Sequence, residues 1–150
     1  MGLTTLRAFL RRHDRVALDT NVFIYHLDAH PRYVAITDLI FGWLEQSGRS
    51  AVTSTITMTE LLVQPYRKSN EQQVDQFYGL LATYPSLEWI APTLRIADTA
   101  AKIRGWHGLR TPDALQAATA IDTQATALIT NDPVFARLKE FETLVLDSLL

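Results

Sequence analysis

The feature that most constrains the fold is the stretch Arg15 to Leu27, RVALDTNVFIYHL, in which a short apolar run ends on an aspartate. Val16, Ala17 and Leu18 read as a buried strand, and Val22 onward reads as a helix capped by Asn21. In an open α/β sheet, ligands bind in the crevice at the carboxyl ends of the strands. Asp19 therefore stands where chemistry is expected.

The rest of the chain repeats strand and helix. Residues 4–12 set Leu6, Phe9 and Leu10 on one helical face and Arg7 and Arg11 on another, a helical extension over residues 1–14 that leads into the first strand. A helix is predicted from Tyr33 to Glu45, and SAVTS (residues 50–54) reads as a second strand. The helix that follows carries the capping-box pair Thr57 and Glu60 and is expected to break at Pro65. Residues 70–84 form another amphipathic helix, and Leu87 to Ile90 a third strand. Thr93 to Trp106 predicts a helix ending at Gly105 and Gly108. Thr111 then caps an alanine-rich helix with Pro112 at its first position. ALIT (127–130) and residues 143–146 complete the strands, with a short helix starting at Asn131-Asp132-Pro133 between them. This alternation predicts a mostly parallel sheet covered on both faces.

A chain of 150 residues, 47% hydrophobic, is expected to form one domain over 1–150 with a core of its own. Its 16 acids and 14 bases leave a net charge of -2, so any nucleic-acid site must be a local patch. Cysteine is absent, which excludes disulfides, thiolate nucleophiles and zinc–thiolate sites and fits a reducing compartment. No segment has the length of a signal-peptide core or a membrane span, so a cytoplasmic protein with no membrane partner is expected.

Four acids occupy comparable places. Asp19 and Asp132 follow strands directly, Asp132 after Thr130 and Asn131, and Glu60 lies in the first turn of the helix leaving the second strand. The helix of Asp113 feeds the fourth strand through a tight loop and must run antiparallel to it, so it begins at the same carboxyl edge. Each acid has a purely structural role open to it: turn residue, capping-box partner, first-turn acid or N-cap. Four carboxylates on one rim, however, repel strongly, and a divalent cation relieves that repulsion. An all-oxygen donor set favours Mg²⁺ or Mn²⁺ over zinc, and the HxxxH spacing of His26 and His30 does not change this, since Pro31 marks the helix end there. Such a site points to metal-dependent phosphodiester hydrolysis. Arg104 and Arg110, flanking the loop into Asp113, are candidates for backbone phosphate contacts.

Together, LDTNVFIY, MTELLV, RTPDALQAATA and LITNDPVF, in this order over residues 16–146, resemble the PIN domain family and, within it, the VapC-like toxins of toxin–antitoxin pairs. The resemblance implies a three-layer α/β/α sandwich and a Mg²⁺- or Mn²⁺-dependent ribonuclease. It assigns Asp19, Glu60, Asp113 and Asp132 to the acidic quartet and Asn21 and Thr130 to supporting polar positions. It also implies an antitoxin whose tail inserts an arginine into the acids, and a homodimer. Phe41, Trp43 and Phe77 are candidates for those apolar surfaces, with a core role as the alternative.

Three other classes remain to be weighed. A catalytically silent PIN-like module that binds RNA or protein has no need of all four acids. A phosphoacceptor domain calls for a lysine at the end of the last strand, where Leu146 and Asp147 stand, and a DxDxT phosphatase calls for aspartate where Asn21 stands.

Overall fold

The computed structural model describes residues 2–150 and places five parallel strands at the centre. In chain order the elements are α1 (Gly2–Arg11), β1 (Arg15–Leu18), α2 (Thr20–Leu27), α3 (Val34–Leu44), β2 (Ser50–Ser54), α4 (Ile56–Arg67) and α5 (Glu71–Ala82). There follow β3 (Leu87–Ile90), α6 (Leu94–His107), α7 (Thr111–Asp122), β4 (Ala127–Thr130) and β5 (Glu142–Val145), with 3₁₀ turns at Pro133–Arg137 and Leu146–Leu149. The strand order is β3-β2-β1-β4-β5, which puts β1 in the middle, paired with β2 on one side and β4 on the other.

Strand side chains alternate between two cores, as the period of two requires. Val16, Leu18, Ala51, Ala127, Ile129 and Leu144 pack with Leu6, Phe23, Ile40 and Leu81 from the α1–α5 side. Ala17, Val52 and Leu128 pack with Ile96, Ile103, Ala117 and Phe135 from the α6–α7 side. The result is the three-layer α/β/α sandwich, and coverage of both faces explains why the strands read as unbroken apolar runs. The alanines of α7 (Ala114, Ala117, Ala118, Ala120) are fully buried, and their small side chains let this helix sit close against the sheet.

Several local readings are corrected. The N-cap of α2 is Asp19 and not Asn21, because the chain turns helical immediately after β1 and the Asp19 carboxylate accepts from the Thr20 amide. Thr57 and Glu60 form no capping box; Thr57 is buried inside the first turn of α4 and its hydroxyl serves other partners. Pro65 does not end α4, which runs on to Arg67: in the last turn the missing N–H costs one hydrogen bond, and the ring is buried. Helix α6 passes through Gly105 and stops at Gly108, whose φ of 73° is the left-handed conformation that glycine adopts freely. Arg110, with extended backbone and no side-chain cap bond, precedes α7, so Thr111 is its first residue instead of its cap. Phe41 and Trp43 belong to the core.

Helix α1 is packed as firmly as the sheet helices. Leu6, Phe9 and Leu10 are buried against α3 and the C-terminal turn, and His13 beyond it bonds Thr126 and Glu142 at 2.7 Å each. Since Leu6 is 0% exposed, Leu6→Ala is expected to lower the unfolding free energy by about 2–5 kcal/mol. Urea denaturation measures this; a loss near zero would make α1 an appendage to the fold.

Candidate metal and active site

The parallel register of β1 and β4 builds the centre of the site. Leu18 pairs with Ile129, and the Asp19 amide continues the ladder to the Ile129 carbonyl at 3.0 Å. Thr130, one residue on, therefore faces Asp19, and its hydroxyl donates to Asp19 Oδ2 at 2.7 Å. Oδ1 accepts from the Thr20 amide at 2.9 Å, and the Asn21 amide group lies 3.4 Å from Oδ2. Asn21 Oδ1 in turn accepts from the Asn131 amide at 3.1 Å. The two supporting positions thus do distinct things: Thr130 bonds the carboxylate, and Asn21 ties it to the end of β4.

The other acids are anchored separately around it. Glu60 accepts from the Thr20 hydroxyl at 2.7 Å. Asp113, in the first turn of α7, accepts from Arg110 Nε at 3.3 Å. Asp132 is the N-cap of the 3₁₀ turn, accepting from the Val134 amide, while its own amide donates to Thr130 Oγ1 at 3.0 Å. The structural roles foreseen for Asp113 and Asp132 are present, Asp19 is an N-cap instead of a plain turn residue, and these roles coexist with delivery of the acids to the carboxyl edge. Among the described residues, no three acids or histidines converge on one point.

Beneath the acids runs a buried chain of hydroxyls that sequence reading missed. Thr53 donates to the Leu18 carbonyl at 2.8 Å, so the 2.7 Å contact between Thr53 and Thr57 is a bond from Thr57. Thr57 accepts in turn from Gln116 Nε2 at 2.6 Å, and Gln116 Oε1 accepts from the Ser54 amide. One side chain of α7 thereby fixes β2 and α4, and through them the helix of Glu60 relative to that of Asp113. A lone glutamine in an alanine-rich helix gives no sign of this; its position on the apolar face of α7 was the available signal.

Asp19 is 7% exposed, and its pKa is raised from the ordinary 3.8 to about 6. Burial is the main cause; the Thr130 and Thr20 bonds pull the other way, and the charges of Asp113 and Glu60 push it further up. Asp113 is also raised, chiefly by burial, with Arg110 opposing and Asp132 adding to the rise. A buried carboxylate beside like charges, with oxygen donors only, is chemically suited to a hard divalent ion, which keeps several waters and takes one or two carboxylates. His26 and His30 take separate partners, His26 near Thr37 and stacked on Phe41, His30 against Tyr25 and Tyr33.

The PIN domain model matches residues 16–140, and the chain belongs to the PIN domain family. Among curated proteins, none matches the sequence. The fold is similar to that of a toxin–antitoxin complex from Klebsiella pneumoniae, at 20% identity and a TM-score of 0.64 over 87% of this chain and 97% of the other. It is similar also to VapBC2 from Rickettsia felis bound to a DNA fragment from its promoter, at 20% identity and a TM-score of 0.67 over 87% and 98%. FitAcB from Neisseria gonorrhoeae gives 23% identity and a TM-score of 0.65 over 87% and 97%.

Because Asp19 binds its proton more tightly folded than unfolded, its contribution to stability is greatest below about pH 4, declines as pH rises to about 6, and levels off above. At pH 7 and without divalent ions, Asp19→Asn is expected to stabilise the protein by about 1–3 kcal/mol and to flatten this slope. Thermal melts from pH 4 to pH 7, roughly the window between the two pKa values, decide it. An unaltered slope would mean that Asp19 does not titrate there.

Proposed function

We propose that this protein is a Mg²⁺- or Mn²⁺-dependent endoribonuclease and the toxin of a toxin–antitoxin pair. What carries this is the supply of Asp19, Glu60, Asp113 and Asp132 from four separate elements to the carboxyl edge of a PIN-domain sheet. Asp19, Glu60, Asp113 and Asp132 would hold the ion. When bound, it supplies Lewis acidity toward a phosphate oxygen and a water acidic enough to attack phosphorus. The protein groups do the rest: Thr130 and Thr20 keep the Asp19 carboxylate oriented, Thr20 holds Glu60, and Asn21 fixes the end of β4 beside them. Arg110, mostly exposed beside Asp113, and Arg104, bonded to the Thr111 hydroxyl, stand ready for backbone phosphates of the RNA.

Two measurements test the chemistry. Asp113→Asn should abolish cleavage of RNA while leaving the metal-free protein as stable or more so, and Mg²⁺ or Mn²⁺ should raise the melting temperature of the unsubstituted protein. Retained cleavage with lost stability would return Asp113 to a first-turn role. In the same assay, Arg110→Ala should weaken RNA binding and shallow its salt dependence, and an unchanged salt slope would remove Arg110 from the phosphate path.

The partner follows from the same electrostatics together with the neighbours in fold, which are toxin–antitoxin complexes. An arginine fork suits carboxylates gathered along one edge. A hollow of about 200 Å³ between α2, α4 and α5, lined by Ile24, Leu61 and Phe77 with Glu60 among its walls, suits apolar residues of the same inhibitory segment. A homodimer is proposed through the larger apolar groove between α4 and α5, beside Tyr66 and Tyr78. Changing the inserted arginine of the antitoxin to alanine should reduce its potency, and excess Mg²⁺ should compete with it. Inhibition indifferent to both would locate the partner elsewhere.

A further inference from the structure

Half of the large apolar side chains exposed among the described residues gather on α4 and α5. Val63, Tyr66 and Tyr78 line the groove of about 820 Å³ there, and Leu80 is exposed on α5. Trp106 stands apart from them. It is 75% exposed on the last turn of α6, in a stretch of chain that also carries Arg104, His107 and Arg110. Leu94, the other exposed apolar residue of this helix, sits at its far end, roughly 18 Å away along the axis. Exposing an indole this fully keeps apolar surface in water that burial would remove. A protein-docking patch would be expected to surround it with further apolar side chains; the other large exposed apolar side chains lie on other elements or at the far end of α6.

The turn that carries Trp106 is rigid. Gly108 takes the left-handed conformation and its amide bonds the Arg104 carbonyl at 3.0 Å. Arg137 donates to the His107 carbonyl at 2.9 Å, Leu109 is buried, and Arg104 bonds the Thr111 hydroxyl. Since α7 starts at the carboxyl edge of the sheet, the end of α6 that leads into it lies at that edge too, on the approach to Asp113. An exposed aromatic ring on a fixed turn, with two arginines in the same stretch of chain, suits single-stranded nucleic acid, the ring stacking a base and the guanidiniums meeting phosphates.

We propose that Trp106 is a substrate-positioning residue that stacks an unpaired base of the RNA next to the phosphate held at the acidic edge, and so selects single-stranded over duplex RNA. This rests on the ribonuclease function proposed above and goes beyond it, because it assigns a base contact to a residue outside the acidic quartet.

The test uses the full chain carrying Asp113→Asn, in Mg²⁺, titrated with an oligoadenylate of about 12 nucleotides, within the span single-strand sites cover. Stacking predicts quenching of tryptophan fluorescence that is absent when Trp106→Phe is added, and about tenfold weaker binding for Trp106→Ala. Trp106→Phe should retain most of the affinity, and the same oligonucleotide in duplex form should bind weakly to all three. In the chain with Asp113 intact, Trp106→Ala should raise KM more than it lowers kcat, with the melting temperature unmoved because the ring is exposed. If the oligonucleotide binds but neither the quenching nor the affinity depends on Trp106, the stacking proposal is overturned while the nuclease function stands. Absence of both RNA binding and cleavage in the unsubstituted protein overturns the two together. Loss of self-association on Trp106→Ala, with RNA affinity unchanged, would instead make this turn a contact between copies of the chain.

Discussion

Burying the carboxylate of Asp19 at the seam between β1 and β4 is the constraint to which the rest of the structure answers. A charged group in that position requires donors, and three come from different levels of structure: the Thr20 amide from the start of α2, the Thr130 hydroxyl from β4, and the Asn21 amide group. The Thr130 bond depends on sheet register, because a shift of one residue would turn the hydroxyl to the opposite face. Pairing of Leu18 with Ile129 is therefore a condition on the site as well as on the fold. The apolar alternation that sets this register, Val16 and Leu18 to one core and Ala17 to the other, is thereby coupled to chemistry at the strand end.

A second layer makes the distant acids answer to the same centre. Gln116 bonds Thr57, Thr57 bonds Thr53, and Thr53 bonds the carbonyl of Leu18, the residue before Asp19. This chain runs from α7 through α4 and β2 to the end of β1, so the helices carrying Asp113 and Glu60 are referenced to the strand that carries Asp19. Every polar atom in it is satisfied by another, which is the condition under which a buried polar network specifies a unique arrangement instead of weakening it.

The strands were legible in the sequence because their signal is local: SAVTS, LEWI and ALIT carry apolar and β-branched side chains in runs bounded by turn residues. So was the shared edge of the acids, since β–α alternation forces where each helix begins. What the sequence hid were features decided by tertiary contacts. Asn21 has the composition of an N-cap, but the sheet ladder continues to Asp19 and hands it that role, freeing Asn21 to reach Asn131. Asn131 also binds the hydroxyls of Tyr25 and Tyr33, while Asp147 accepts from Tyr33, a network joining α2 to the C-terminal turn that no spacing rule anticipates. Thr57 and Glu60 matched a capping box in pattern, yet burial of the threonine among Thr53 and Gln116 assigned them to different networks. The PIN-like identity of the chain rested on four short motifs together, and the matched span of residues 16–140 confirms that family.

The four acids differ in how far the protein itself offsets their charge. Glu60 is exposed and receives the Thr20 hydroxyl, Asp113 has Arg110, and Asp132 caps a 3₁₀ turn. Asp19 has three donors but no cation bonded to it and almost no water, and the charges of Asp113 and Glu60 act against it; its pKa of about 6 registers that imbalance. Electrostatic strain is thus greatest on the carboxylate at the centre, with Asp113 raised as well. On the function proposed above, binding free energy from a divalent ion would be largest where the deficit is largest, at Asp19, with the outer acids completing the site. Their separate anchoring suits that division. A hard ion that keeps part of its water shell needs room between its ligands, which a tight cage of four carboxylates would deny it.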